Sequence, residues 1–189
     1  PGLAFVCANQ AALDKAKASK NPKFYFSWEK AVKKLVEEKM PDTPFTPAVS
    51  LVIQLDVALK QIHEEGMEKV WARHEGLAKA TRAAVLALGL KLVAPTAPSP
   101  AITSVYSPEG VSGGDVNKMF RDVYGITIAG GQDKLKGKIF RLGHLGYADG
   151  SDTLLAIARL EMVLTKLGYK AALGAGVKAA QEVLLAENL

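Results

Sequence analysis

The sequence contains a single cysteine, Cys7, and three histidines, His63, His74 and His144, in 189 residues. A lone cysteine closes no internal disulfide, so a reducing, cytoplasmic compartment is the expectation. It also excludes centres built from several thiolates, such as zinc ribbons and iron–sulfur clusters. His63 and His74 lie near three helical turns apart, but neither has a ligand partner four residues on, so no metal site is expected. Long apolar runs are missing too: no stretch reaches the ~18 residues that a membrane span requires. Residues 1–8 are apolar but follow no basic segment, so no signal peptide is expected. GxGxxG, P-loop, GxSxG and HExxH patterns are all absent.

What remains is an ordinary soluble composition. Apolar residues make up 49% and charged residues 23%, with 17 glycines and 9 prolines. These figures exclude disorder, collagen-like repeats and a coiled-coil rod, and the length suits one medium domain or two small ones. The formal net charge is +5. The densest basic stretch, Lys15 to Lys39, has no arginine and is interleaved with Glu29, Glu37 and Glu38. It reads as a solvated mixed-charge face and not as a nucleic-acid or membrane patch. The sequence opens Pro-Gly-Leu-Ala-Phe-Val, without Met, and reads as the middle of something longer.

Periodicity and punctuation divide the chain into elements. Gly2 to Ala8 is a short apolar run consistent with a buried strand. Asn9 caps a helix to Ala18, and Ser27 caps another from Trp28 to Met40. Pro41, Pro44 and Pro47 punctuate a loop. Thr46-Pro47 predicts a helix start, with a capping hydroxyl followed by proline at the first helical position. The helix Ala48 to Glu64 is apolar nearly all round in its first half, which predicts that this half is buried. Gly66 interrupts. A second helix runs from Met67 to Leu88 with the stripe Val70, Trp71, His74, Leu77, Ala78, Thr81, Val85 and Leu88, and Gly89 ends it. From residue 90 the order becomes β, β, α, β, β, α. Strands are expected at Leu90–Val93, Ala101–Tyr106, Ile126–Ala129 and Lys138–Leu145. The helices are Asp115–Tyr124 and Asp152–Leu167, the latter capped by Ser151. Such an order suggests a small open sheet with helices on one face. The Ala-rich tail predicts a last helix around Ala175 to Leu185.

Three features could carry chemistry. A capped helix start at Thr43-Pro44-Phe45-Thr46-Pro47 offers free N–H groups and the positive end of a dipole to an anion, or is a plain cap. Arg141 stands among apolar strand residues, where a guanidinium needs a partner. That partner is either a substrate acid, gripped by the planar fork, or an internal Asp or Glu. Gly130-Gly131 lets a backbone pass close to something, or is a turn. His144 reads as a structural residue on the face opposite Arg141. Cys7 is too weakly marked to be a nucleophile.

Taken in order, Pro1-Gly2-Leu3-Ala4-Phe5, Thr43-Pro44-Phe45-Thr46-Pro47, Glu65-Gly66-Met67-Glu68, Arg73-His74, Ile128-Ala129-Gly130-Gly131 and Gly137 through Gly146 resemble the C-terminal half of a class V pyridoxal-phosphate aminotransferase. The likeness is to the alanine–glyoxylate and serine–pyruvate kind and covers roughly residues 1–168. It implies an α/β protein of the fold type I transferase class, here the end of the large domain plus an α+β C-terminal small domain. On this basis residues 1–45 are the tail of the large cofactor-binding domain and 46–89 interdomain helices. Residues 90–168 are the small domain and 169–189 a helical tail.

The resemblance also implies roles. Thr46 matches a threonine whose hydroxyl reaches the phosphate of pyridoxal 5'-phosphate in the partner subunit of a homodimer. Thr43 falls where relatives carry a tyrosine that also touches the phosphate. Arg141 matches the arginine that grips the substrate carboxylate. The Schiff-base lysine of the family lies just before the segment matching Pro1-Gly2. The chain alone is therefore expected to be inactive and to need an N-terminal half of the same enzyme. The complete enzyme would move an amino group between alanine or serine and glyoxylate or pyruvate. Some similar proteins are labelled soluble hydrogenase small subunits, so a non-catalytic assembly subunit is the alternative. A cysteine desulfurase is a further one, although Cys7 lies in the wrong segment for it.

Overall fold

The computed structural model describes residues 2–189, so Pro1 of the first family-like segment lies outside it. The chain forms two compact units, Pro1–Glu64 and Glu65–Leu189.

In the first unit, α1 (Gln10–Ala18) begins where Asn9 Oδ1 accepts from the Ala12 N–H at 2.9 Å, as the sequence predicts. Ser27 likewise caps α2 (Trp28–Val32), which passes into a π-helical turn, Lys33–Glu37, and stops short of the predicted Met40. The run Gly2 to Ala8 forms no strand, and Phe5 is 79% exposed. A strand needs a neighbour to take its N–H and C=O groups, and no strand of the first unit pairs with this run. The next helix, α3, spans Val49–Glu65 and buries no residue; Ile53 is 60% exposed. This corrects the expectation of a buried first half. Periodicity shows that a face is apolar, but not that anything covers it.

The second unit carries the core. Helix α4 (Met67–Ala87) starts after Gly66 and ends at Gly89, both in the positive-φ conformation that glycine tolerates. The strands are β1 (Lys91–Leu92), β2 (Ile102–Tyr106), β3 (Ala129–Gly130) and β4 (Ile139–Gly143). They form one antiparallel sheet in the order β1-β2-β4-β3. Each strand is shorter than the sequence suggests, and most of the Ile126–Ala129 run lies outside the sheet. Helix α5 (Gly113–Tyr124) starts two residues early at its cap, Ser112. Helix α6 (Gly150–Lys166) is capped by Asp149 and not by Ser151. Asp149 and Asp152 exchange backbone-to-carboxylate hydrogen bonds in a capping box. The Ala-rich tail forms α7 (Ala175–Glu187).

The pleat sorts the sheet into two faces. Val105 pairs with Phe140 and Thr103 with Leu142. These four side chains are buried, and the three apolar ones share a core with Leu77 and Val85 of α4, Val116 and Phe120 of α5, and Ile157, Leu160 and Leu164 of α6. Trp71 is the exception in the α4 stripe and is 63% exposed. Alternate residues Ile102, Ser104 and Arg141 take the other face and are only half-buried. Buried Glu161 of α6 docks the tail: its carboxylate accepts from the N–H groups of Gly174, Gly176 and Val177 at 2.7–3.1 Å, at the start of α7.

Candidate functional site

Arg141 is the centre of the half-buried face. Its cross-strand neighbours are Ser104 on β2 and Ala129 on β3. The guanidinium Nε donates to the Gly130 carbonyl at 2.8 Å. Among the described residues no carboxylate lies within ion-pair distance of Arg141. The internal Asp or Glu that would have made it a plain structural arginine is not there. With Nε held by a carbonyl, the two terminal nitrogens keep their donors, which suits an end-on grip on a carboxylate.

The Gly130-Gly131 pair provides this arrangement. A Cβ on Gly131 would collide with the Leu135 carbonyl, and one on Gly130 would stand 2.7 Å from the Asn117 amide. Both glycines are therefore close-approach positions as well as part of a turn. With its amide oriented to satisfy both partners, Asn117 accepts from Gly130 N–H at 2.9 Å and donates to the Gly113 carbonyl at 3.2 Å. A chain of contacts thus runs from α5 through Asn117 and Gly130 to Arg141. The sequence did not expose Asn117: one amide beside buried Val116 carries no pattern.

Arg141 lines a cleft of about 570 Å³ together with Ile102, Ile128, Leu145, Asp152 and Leu155. The cleft wall after β4 is tied to α4 by two residues of the family-like segments. Arg73 forms a fork-to-fork pair with Glu65 (2.7 and 2.8 Å) and donates from Nη1 to the carbonyls of Gly146 and Ala148. The Arg73 hydrogen bond holds the Glu65 carboxyl below its ordinary range. His74 donates from Nδ1 to Val70 O at 2.6 Å and accepts the Gly146 N–H on Nε2 at 3.0 Å, which assigns the neutral tautomer. His144 sits behind the sheet, 2% exposed, with Nε2 2.9 Å from the Thr103 hydroxyl. Burial pushes its pKa down. It is structural, as its register opposite Arg141 suggests.

Thr43 and Thr46 lie on one loop of the first unit. Phe45 between them stacks on Tyr25 at 4.6 Å and packs against Phe24, which pins the loop. The Thr43 hydroxyl donates to Phe45 O at 2.6 Å, so its one proton is already used. Thr46 is exposed and is not the cap of α3. The first helical hydrogen bond runs from Val52 N to Ala48 O, and the Val49 N–H turns back to Pro47 O. The helix therefore starts later than the Thr46-Pro47 signature suggests. Thr46 keeps a free hydroxyl three residues before the first turn of α3, whose leading N–H groups lack intrahelical partners. A phosphate fits Thr46 and this helix end better than it fits Thr43.

No protein-family profile matches the chain. Individual proteins do. It is 45% identical over 186 residues to the "Soluble hydrogenase, small subunit" of Synechococcus sp. (strain PCC 6716), covering 97% of this chain and 47% of that one. It is 37% identical over 185 residues to the serine–glyoxylate aminotransferase of Arabidopsis thaliana, covering 97% and 46%. The structure matches the crystal structure of ureidoglycine–glyoxylate aminotransferase from Bacillus subtilis with a TM-score of 0.84 at 28% identity, over 94% of this chain and 46% of that one. The fold and these relatives define a fold type I transferase. The chain belongs to the class V aminotransferases of that fold. It spans about half the length of the curated relatives it matches.

Proposed function

We propose that this chain is the C-terminal half of a pyridoxal-phosphate-dependent aminotransferase. The complete enzyme moves an amino group between a small amino acid, alanine or serine, and a 2-oxo acid, glyoxylate or pyruvate. One observation carries the reading: Arg141 stands on the half-buried sheet face, beside a cleft, with a carbonyl and no carboxylate as partner. Arg141 binds and orients the substrate carboxylate end-on. The segment Leu145–Ala148, held by Arg73 and His74, walls the cleft. Thr46 and the first turn of α3 face the cofactor phosphate across a homodimer, while Thr43 contributes loop structure. When bound, the cofactor supplies the electron sink for the reacting amino acid. The residues of this chain bind and position, so the chain alone is inactive. The compartment is the cytoplasm.

Replacing Arg141 by Gln in the complete enzyme raises KM for the amino acid by about tenfold or more, the loss of a charge-assisted pair, and leaves the cofactor absorbance in place. An unchanged KM refutes the role of Arg141. The hydrogenase-subunit name of the Synechococcus relative favours a second reading, a non-catalytic assembly module. Transamination by the complete protein with serine or alanine decides between the two: its presence rejects the assembly module.

A further inference from the structure

The cleft beside Arg141 is larger and more apolar than a carboxylate grip alone needs. Its volume of about 570 Å³ falls in the middle of the range for small-molecule sites, ~300–1,000 Å³. The methyl of alanine or the hydroxymethyl of serine fills a small part of that space. One wall comes from the Ile126–Ala129 run beside β3, one from Ile102 at the start of β2, and one from Leu155 and Ala156 of α6. Leu145, past the end of β4, adds a further side. A Cβ on Gly143 would stand 3.3 Å from Leu145 Cδ2, so the Leu145 side chain lies over that glycine in the cleft.

Two large apolar side chains of this lining stay in water. Leu145 is 53% exposed and Leu155 48%. Covering such area with an aliphatic chain is favourable. Charge sets the orientation of a ligand. Arg141 is the cation of the cleft, and its Nε bond to Gly130 O draws the guanidinium toward β3, next to the Ile126–Ala129 wall. The carboxylate of the cleft is Asp152, in the first turn of α6. Its Oδ2 accepts the Asp149 N–H at 3.2 Å, and no ion pair joins it to Arg141. Asp152 opposes a second negative charge in the ligand and leaves the apolar wall to an uncharged tail.

We propose that this cleft holds the aliphatic tail of a substrate whose carboxylate Arg141 grips. The substrate class of the site then extends from alanine and serine to aliphatic amino acids of four to six carbons and their 2-oxo counterparts. This rests on the reading of Arg141 as a carboxylate grip. Full burial of one methylene is worth roughly a fourfold gain in affinity. A tail lying against half-exposed Leu145 and Leu155 is half covered, so each methylene gains about twofold and three gain about tenfold.

The test is binding of pentanoate and acetate to the 189-residue chain, followed by NMR chemical shifts. The two probes share the carboxylate and differ by three methylenes. Pentanoate binds about tenfold more tightly than acetate, with shifts at the Gly143, Leu145 and Leu155 amides, and Leu155→Gln brings the ratio toward one. Leu155 stands outside the buried core, so the change spares the fold. Leu145→Gln, on a different segment, lowers the ratio in the same way. Undetected binding of pentanoate, equal affinities in the unmodified chain, or a ratio that survives either change overturns the proposal. Arg141→Gln separates the two readings. If acetate binding survives that change, the carboxylate role of Arg141 fails. If acetate binding is lost with it but the unmodified chain holds both probes equally, that role stands and the aliphatic site alone fails.

Discussion

A single hydrogen bond sets what Arg141 can do. Because Gly130 O occupies Nε, the terminal nitrogens of Arg141 keep their donors for a ligand. Asn117 holds Gly130 in place from α5. Asn117→Ala in the complete enzyme removes about 1 kcal/mol of positioning and raises KM for the amino acid roughly fivefold, with kcat little changed. A fall in kcat at constant KM would count against this role. His144 gives the molecule a pH response. Burial lowers its folded pKa, with Arg82 and His74 nearby adding to the effect. Below about pH 6.5 the unfolded chain therefore takes up a proton that the folded chain resists. Stability stands above that pH and falls as acid is added. Thermal midpoints measured from pH 7 down to pH 5 decline for the native sequence, and more gently for His144→Gln.

Between elements, polar staples carry specificity that apolar packing lacks. The Arg73–Glu65 pair and His74 tie α4 to the segment after β4, across more than seventy residues of sequence. The Glu161 carboxylate gathers three N–H groups at the start of α7. Glu161→Leu leaves those donors unpaired, with the Gly176 N–H buried, which costs about 1–3 kcal/mol and frees α7 first. A urea titration would show the lower midpoint, and limited proteolysis would cut before Ala175. Equal resistance to protease in both forms would contradict the anchoring role. The motif residues Glu65, Arg73 and His74 were visible in the sequence as a resemblance. Their mutual contact was not, because helix spacing says which residues share a face but not which loop returns to meet them.

At the scale of the whole molecule, burial divides the chain. Every buried apolar side chain belongs to the second unit, while the first buries only Ser27 among the described residues. Hydrogen exchange should therefore be slow in α4, α6, β2 and β4 and fast throughout residues 2–64. Equal protection in the two units would contradict it. Local signals placed most of the helices: caps such as Asn9 and Ser27, and Gly89 just past the end of α4. The sequence by itself also determined the β, β, α, β, β, α order, and the ordered short segments marked the family. These are local signals, set by backbone sterics and nearby hydrogen bonds. Only packing leaves Gly2 to Ala8 without a strand partner, keeps the apolar face of α3 exposed and starts α3 past Thr46. Tertiary structure alone brought Asn117, Gly130 and Arg141 into one chain of contacts. Those outcomes depend on which distant segment fills the space next to a residue, and periodicity along a chain has no term for that.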